Sequence, residues 1–178
     1  MVWKTTIRHI IGKASPPRSA DPAQVRVMRA RLEASVSAKL GRALAIRHVA
    51  AGSCNGCELE LRATQNMIHD LTQYGLTFTP SPRHADILLI TGVAGRNMVE
   101  AAALARAAMP DPVLTVACGD CAVDGGVFKS SPAIIGGASA ITPIDLIIPG
   151  CPPTPTQIIQ GLLTLIEAHS FEPQKTRR

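Results

Sequence analysis

The sequence has few aromatic residues, no long apolar run and no nucleotide-binding motif. Aromatics make up only 3% of the 178 residues, so base stacking on aromatic rings, and with it nucleic-acid binding, is not expected. No apolar stretch reaches the roughly 18–20 residues that span a bilayer, and the first residues lack a signal-peptide core and cleavage site. Neither G-x-x-x-x-G-K-[ST] nor G-x-G-x-x-G after a strand occurs, so nucleotide binding has no support. We therefore expect a cytoplasmic protein.

Positive charge is concentrated at the N-terminal end. Residues 1–47 contain ten Lys or Arg and two acids, a net charge of +8, whereas the remaining residues carry −3. Residues 1–13 have the pattern of a short amphipathic helix, and Asp21-Pro22 is typical of the start of a second helix that Gly41 ends. We predict a basic helical arm over residues 1–42 that binds an acidic partner, another subunit or, through residues 1–13, a membrane surface. The alternative is a solvated tail.

Strand and helix patterns alternate from Ala43 onward. Strands are predicted over residues 43–49, 75–79, 85–91, 113–117 and 145–148. Helices are predicted over residues 58–74, 97–108 and 156–169, and a loop over 118–126. This alternation predicts an α/β domain over residues 43–170, built on a parallel sheet with right-handed crossovers, followed by a tail over 171–178.

Each of the five cysteines lies at or after the end of a predicted strand. Cys54 and Cys57 follow the first strand, Cys118 and Cys121 follow the fourth, and Cys151 follows the last. Ligands of open α/β sheets bind beyond the carboxyl ends of the strands, so these cysteines are expected to converge at one edge. In a reducing compartment they are ligands or free thiols rather than disulfides.

The cysteine spacing is a C-x2-C pair followed, after 63 and a further 29 residues, by Cys121 and Cys151. Four thiolates complete a cubane iron–sulfur site, and nearby glycines let backbone N–H groups approach the cluster sulfides. A thioredoxin-type redox pair would leave Cys121 and Cys151 unexplained. Structural zinc sites usually use two close pairs of ligands, whereas this sequence has one close pair and two distant single cysteines, which disfavours zinc. Cys118 is interpreted as a buried thiol, although it could instead be the third ligand.

Four motifs carry a family resemblance. They are Gly-Ser-Cys-Asn-Gly-Cys-Glu (52–58), Ser-Pro-Arg-His-Ala-Asp (81–86), Gly-Asp-Cys-Ala-Val-Asp-Gly-Gly (119–126) and Pro-Gly-Cys-Pro-Pro (149–153). In this order and spacing they resemble the small subunit of membrane-bound [NiFe]-hydrogenases of the formate hydrogenlyase and energy-converting types (group 4). The same family contains the 20 kDa (PSST) iron–sulfur subunit of respiratory complex I.

The resemblance implies a flavodoxin-like α/β domain that holds one [4Fe–4S] cluster through Cys54, Cys57, Cys121 and Cys151. The family's G-x-C pattern favours Cys121 over Cys118. The implied function is electron relay, without turnover by this subunit alone, in an oxidoreductase complex on the cytoplasmic side of the inner membrane. The implied partners are a large [NiFe]-hydrogenase-like subunit (complex I 49 kDa-like) and other iron–sulfur and membrane subunits.

The acceptor stays open between a [NiFe] centre and a quinone. The C-x2-C pair favours the hydrogenase branch, because complex I subunits have two adjacent cysteines there. A non-catalytic scaffold with a structural metal site is a hypothesis of another class. Asp124 stands where the family often has Ser, and Thr154 and Thr156 replace its Arg and Glu. Arg83 is interpreted either as a cationic contact near the cluster or as a partner of Asp86.

Overall fold

A computed structural model describes residues 43–168 of the chain. The predicted basic arm (1–42), the tail (171–178) and the end of the closing helix beyond residue 168 lie outside the described residues. Within the described part, no helix has the length and apolar character needed to cross a membrane.

In the described part of the chain, five parallel strands form one sheet. They are β1 (Leu44–Ala50), β2 (Leu76–Phe78), β3 (Ile87–Thr91), β4 (Leu114–Cys118) and β5 (Leu146–Ile148). Their order across the sheet is β2-β1-β3-β4-β5, the flavodoxin-like order of doubly wound sheets. The predicted fold class is therefore confirmed.

The core lies on both faces of the sheet, because two neighbouring inner strands, β3 and β4, are fully buried. All five residues of β3 and all five of β4 are buried, as expected for continuous apolar runs in a parallel sheet. Alternate residues of β3 point to opposite faces: Leu89 packs in one apolar cluster with Val116 and Leu162, whereas Leu88 packs in the other with Ala102.

Within residues 43–168, four α-helices connect or cover the strands. They are α1 (Gly56–Ala63), α2 (Val99–Ala107), α3 (Asp120–Asp124) and α4 (Pro155–Ala168). Helix α4 is the most deeply packed and buries six aliphatic side chains: Ile158, Ile159, Leu162, Leu163, Leu165 and Ile166. Helix α3 occupies part of the segment 118–126 that was predicted as a loop, so that prediction was wrong for residues 120–124.

The prediction of one helix over residues 58–74 was also wrong, because local polar side chains end it early. Helix α1 stops at Ala63, where the Thr64 hydroxyl donates to the carbonyl of Leu61 at 2.6 Å. The Asn66 side chain then accepts the amides of the two residues at 68 and 69. Asp70 caps a separate 3-10 turn over Leu71–Tyr74. Such side-chain-to-backbone bonds compete with helix formation.

This break changes which apolar side chains are buried. On the predicted longer helix, apolar residues would share one inner stripe: Leu59, Leu61, Met67, Ile68 and Leu71. In the structure only Leu61 and Leu71 of these five are buried. Leu59, Met67 and Ile68 are exposed, and Met67 retains 96% of its accessible surface. Met67 and Ile68 lie in the turn that replaces the helix, which turns them to the surface.

Candidate functional site

The first cysteine loop joins β1 to α1. Asn55 precedes α1 in the left-handed conformation (φ 71°), which places Cys57 in the first helical turn. Gly92, after β3, lies behind this loop: a Cβ on it would stand 2.6 Å from the Gly52 carbonyl oxygen. Only a glycine fits such a close approach. Sequence reasoning missed Gly92, whose only signal was its position after a strand.

The second and third cysteine loops follow β4 and β5, which are neighbours in the sheet. The Gly119 amide donates to the Ile148 carbonyl at 2.8 Å. Asp120 makes two bonds to Gly150: its amide donates to the Gly150 carbonyl at 2.8 Å, and its carboxylate accepts the Gly150 amide at 2.7 Å. The loops that carry Cys121 and Cys151 are thus joined directly. Sequence reasoning also missed this role of Asp120.

The predicted ligands lie within electrostatic reach of one another. Burial is the largest cause of a raised pKa at Cys57, and together with Glu58, Cys121, Cys54 and Cys151 it brings this pKa to about 11. Burial also raises the pKa of Cys121, with Cys151 and Cys54 the next contributors. Cys54 and Cys151 are exposed, whereas Cys57 and Cys121 are buried. Assembly of thiolates here therefore needs compensating positive charge, which a metal or cluster supplies.

A surface cavity of about 390 Å³ opens beside two of these cysteines. Cys121 and Cys151 both line it, together with Asp120, Asp124 and Lys129. The exposed side chain of Val127 lies at its edge. The cavity gives the Cys121–Cys151 side of the site access to a partner or to solvent.

Cys118 occupies a different environment. It is the last residue of β4, has 0% exposure, and packs in the same apolar cluster as Val116 and Ile148. Burial raises its pKa to about 12, with smaller contributions from Cys57 and Glu58. Because side chains alternate along a strand, Cys118 shares the face of Val116 and points into the core.

Glycines lie against three of the cysteine sulfurs. A Cβ on Gly119 would stand 2.5 Å from the Cys57 sulfur, one on Gly126 3.1 Å from the Cys121 sulfur, and one on Gly56 3.5 Å from the Cys54 sulfur. Because these glycines have no Cβ atom, backbone atoms lie directly next to the thiols. Soft thiolate donors in a cradle of glycine backbone fit an iron–sulfur cluster. Among residues 43–168, no three or more His, Cys, Asp or Glu side chains are grouped to hold a single metal ion.

A polar chain of three side chains lies behind Cys57. The Thr91 hydroxyl donates to Glu58 Oε1 at 2.5 Å and accepts from His48 Nε2 at 2.8 Å. Burial lowers the pKa of His48 and so favours the neutral ring. Burial alone would raise the pKa of Glu58, but hydrogen bonds from Thr91 and Ser53 hold that pKa below its ordinary value. Glu58 is therefore a carboxylate at neutral pH.

Replacing Thr91 by Val should remove one of the hydrogen bonds that lower the pKa of Glu58. We expect Thr91→Val to lower the free energy of unfolding at pH 7 by about 1–2 kcal/mol, since a partly buried carboxylate loses a donor. A lowered pKa contributes stability above the unfolded-state pKa, and this contribution is lost as the pH falls through the folded-state value. The penalty should therefore shrink at acidic pH.

Urea unfolding of the cluster-free chain at pH 7 and at about pH 4 measures this effect. Thr77→Val, on the exposed position of β2, is the matched control and should have little effect at either pH. A Thr91→Val penalty that is unchanged or larger at acidic pH would contradict the assignment.

The fold and its three cysteine loops define an α/β protein with a thiol-lined site at the carboxyl edge of a parallel sheet. Residues 54–165 match the family described as "NADH ubiquinone oxidoreductase, 20 Kd subunit". The chain belongs to this family. Members of this family are subunits of oxidoreductase complexes, so the predicted family is confirmed.

Individual relatives come from both bacteria and archaea. The chain is 40% identical over 149 residues to formate hydrogenlyase subunit 7 of Escherichia coli, covering 82% of this chain and 58% of that protein, so it spans less than two thirds of that relative's length. It is 39% identical over 128 residues to the Pyrococcus furiosus protein named "Probable membrane-bound hydrogenase subunit mbhJ", covering 72% and 77% of the two chains.

A solved structure supports the same fold. A chain in the archaeal membrane-bound sulfane sulfur reductase, a respiratory membrane complex, superimposes with a TM-score of 0.63 at 28% identity, covering 79% of this chain and 78% of that one. The Pyrococcus furiosus relative and this solved structure are thus both parts of membrane-bound complexes.

Proposed function

We propose that this chain carries one [4Fe–4S] cluster bound by Cys54, Cys57, Cys121 and Cys151. The observation that carries the proposal is the convergence of three separate loops, whose thiols influence one another's pKa and three of whose four sulfurs lie against glycine backbone. The proposed role is one-electron relay to or from the large subunit of a hydrogenase-like complex of the formate hydrogenlyase type.

The cluster would supply one-electron redox chemistry, and the chain's residues would hold it and tune its potential. The Asp124 carboxylate accepts the amide of Gly126 at 2.8 Å, which shapes the turn after Cys121. Asp120 and Asp124 both add negative charge near Cys121, as their effect on its pKa indicates. Negative charge beside a cluster favours the oxidised state and lowers the reduction potential.

An apolar border beside the site favours a protein partner there. Val127 is 79% exposed and Phe128 42% exposed, and they follow directly after Gly126, which lies against the Cys121 sulfur. Exposed apolar patches next to a cofactor site are typical of subunit interfaces. We propose that the large [NiFe]-hydrogenase-like subunit covers this border and shields the cluster from water.

A complex I-type role, with a quinone as the acceptor, is the second candidate, because the family includes the 20 kDa subunit of NADH–ubiquinone oxidoreductase. The C-x2-C pair favours the hydrogenase type.

Other iron–sulfur and membrane subunits are proposed partners, and the cytoplasmic side of the inner membrane is the proposed location. A membrane-surface contact through residues 1–13, the domain boundaries at 42 and 170, and a role for Arg83 stay predictions.

Anaerobic purification followed by metal analysis and spectroscopy tests the proposal. We expect about four iron and four acid-labile sulfide per chain, a broad visible absorption and an EPR signal after reduction. Stoichiometric zinc with a featureless spectrum would instead support a scaffold with a structural metal site. Isolation of the native complex addresses the acceptor: a co-purifying large subunit with bound nickel supports the hydrogenase type, and quinone reduction without nickel supports the alternative.

A further inference from the structure

Between residues 43 and 168, a reciprocal pair of hydrogen bonds between an Asp and the backbone of a distant residue occurs three times along the sheet. In each, the Asp amide donates to the partner's carbonyl while the Asp carboxylate accepts that partner's amide. The pairs are Asp86 with Ala45, Asp145 with Thr115, and Asp120 with Gly150. We call this arrangement the Asp bridge.

Two Asp bridges join the same strand pair at opposite ends. Asp145, just before β5, bonds Thr115 of β4 at 2.7 Å from carboxylate to amide and 2.9 Å from amide to carbonyl. Asp120, just after β4, bonds Gly150 just after β5 at 2.7 and 2.8 Å. The Asp145 bridge lies at the end of the sheet away from the cysteines, whereas the Asp120 bridge lies between the loops that carry Cys121 and Cys151.

The place of the Asp120 bridge matters because its two residues directly precede Cys121 and Cys151. Gly150 has a positive φ of 138°, and a Cβ on it would stand 2.7 Å from the Cα of Pro153. Its loop is therefore tightly folded, and the carboxylate of Asp120 satisfies the amide of this residue. Beyond the last paired residues, Cys118 and Ile148, the two loops are joined by the bond from the Gly119 amide to the Ile148 carbonyl and by the Asp120 bridge.

We propose that Asp120 is a positioning residue that holds the Cys121 and Cys151 loops at the separation a shared cluster needs. This inference rests on the proposed function, since it takes both cysteines as ligands. Residues that orient ligands through hydrogen bonds affect metal binding although they do not touch the metal. The carboxylate contributes both the hydrogen-bond acceptor and a negative charge, and substitutions separate these contributions.

Three variants of the full chain, reconstituted anaerobically with iron and sulfide, test the proposal. Asp120→Ala removes the acceptor, and we expect about tenfold faster loss of the cluster to a chelator, as is typical when a ligand's supporting hydrogen bond is lost. Asp120→Asn keeps an acceptor oxygen and should retain the cluster, with a more positive midpoint potential because the negative charge is gone. Asp145→Ala removes the equivalent bridge at the other end of the strand pair and should retain the cluster.

The outcomes distinguish positioning from general destabilisation. If Asp145→Ala loses the cluster as fast as Asp120→Ala, the effect is loss of fold stability and the proposal is wrong. If Asp120→Asn loses the cluster as fast as Asp120→Ala, the acceptor oxygen is not what matters and the proposal is equally wrong.

A measurement without the cluster separates this inference from the proposed function. Hydrogen exchange of the Gly150 amide in the cluster-free chain should be markedly faster in Asp120→Ala than in wild type, and close to wild type in Asp120→Asn and in Asp145→Ala. If wild type binds no iron, the proposed function fails, whereas unchanged Gly150 exchange in Asp120→Ala shows that the bridge itself does not hold the loop.

Discussion

Cys121→Ser is expected to abolish the cluster, leaving less than about a tenth of the wild-type iron and sulfide after anaerobic reconstitution, since a cubane requires its four thiolates. Cys121 and Cys151 line one cavity, and the charges of Cys151 and Cys54 contribute to the raised pKa of the Cys121 thiol. Loss of the Cys121 sulfur would leave one iron of the cluster without its ligand, next to the apolar border formed by Val127 and Phe128. The visible absorption and the EPR signal of the reduced protein measure the loss.

Cys118→Ser is the matched control for this experiment. Cys118 lies three residues earlier and is fully buried in the apolar core. Its replacement should keep the cluster and lower the free energy of unfolding by about 1–3 kcal/mol, because a hydroxyl is then buried among aliphatic side chains. If Cys118→Ser lost the cluster and Cys121→Ser kept it, the proposed ligand set would be wrong.

Gly119→Ala is expected to have the second largest effect, because it forces the Cys57 sulfur to move. The new Cβ would stand 2.5 Å from that sulfur, and Gly119 has a φ of 90° that residues with a side chain rarely adopt. We expect cluster retention to fall by about tenfold, as for other losses of ligand geometry. The backbone strain should also cost about 1–3 kcal/mol of stability. Iron content and denaturant unfolding measure the two effects.

Gly136→Ala separates the two effects of Gly119→Ala. Gly136 also has a positive φ, of 141°, but the nearest atom to an added Cβ is the Cβ of Ala140 at 3.8 Å. This variant should lose a similar amount of stability and keep its cluster. Equal cluster retention in the two variants would mean that the Cys57 sulfur tolerates the displacement and that Gly119 is needed only for its backbone conformation.

The strands were predictable from the sequence because their signal is local. The runs that became β3 and β4 are continuous and aliphatic, and such runs are typical of buried parallel strands. The helix after Cys57 was not predictable in its length. Its apolar spacing continued to Leu71, but Thr64 and Asn66 form side-chain bonds to the backbone that end the helix at Ala63. The apolar spacing of the sequence gives no sign that side-chain bonds to the backbone compete with helix formation here.

The residues around the cysteines were only partly predictable. Glycines next to cysteines in sequence, such as Gly56 and Gly119, were recognised as places where the backbone could approach a cluster. Gly92 was not, because it touches the first loop from a different strand. The bridge from Asp120 to Gly150 spans 30 residues, and nothing local in either segment indicates the other.

By itself, the sequence determined the family, the parallel sheet and the placement of cysteines at strand ends, because each follows from composition, short motifs or the direction of the chain. Only the tertiary structure decided how the thiols are distributed in space. It puts Cys118 into the core, because β4 continues through this residue and its side chain alternates onto the face of Val116. It brings Cys121 near Cys57 and Cys151, because the turn at Gly119 and the bonds between neighbouring loops depend on strands that meet only when the sheet forms.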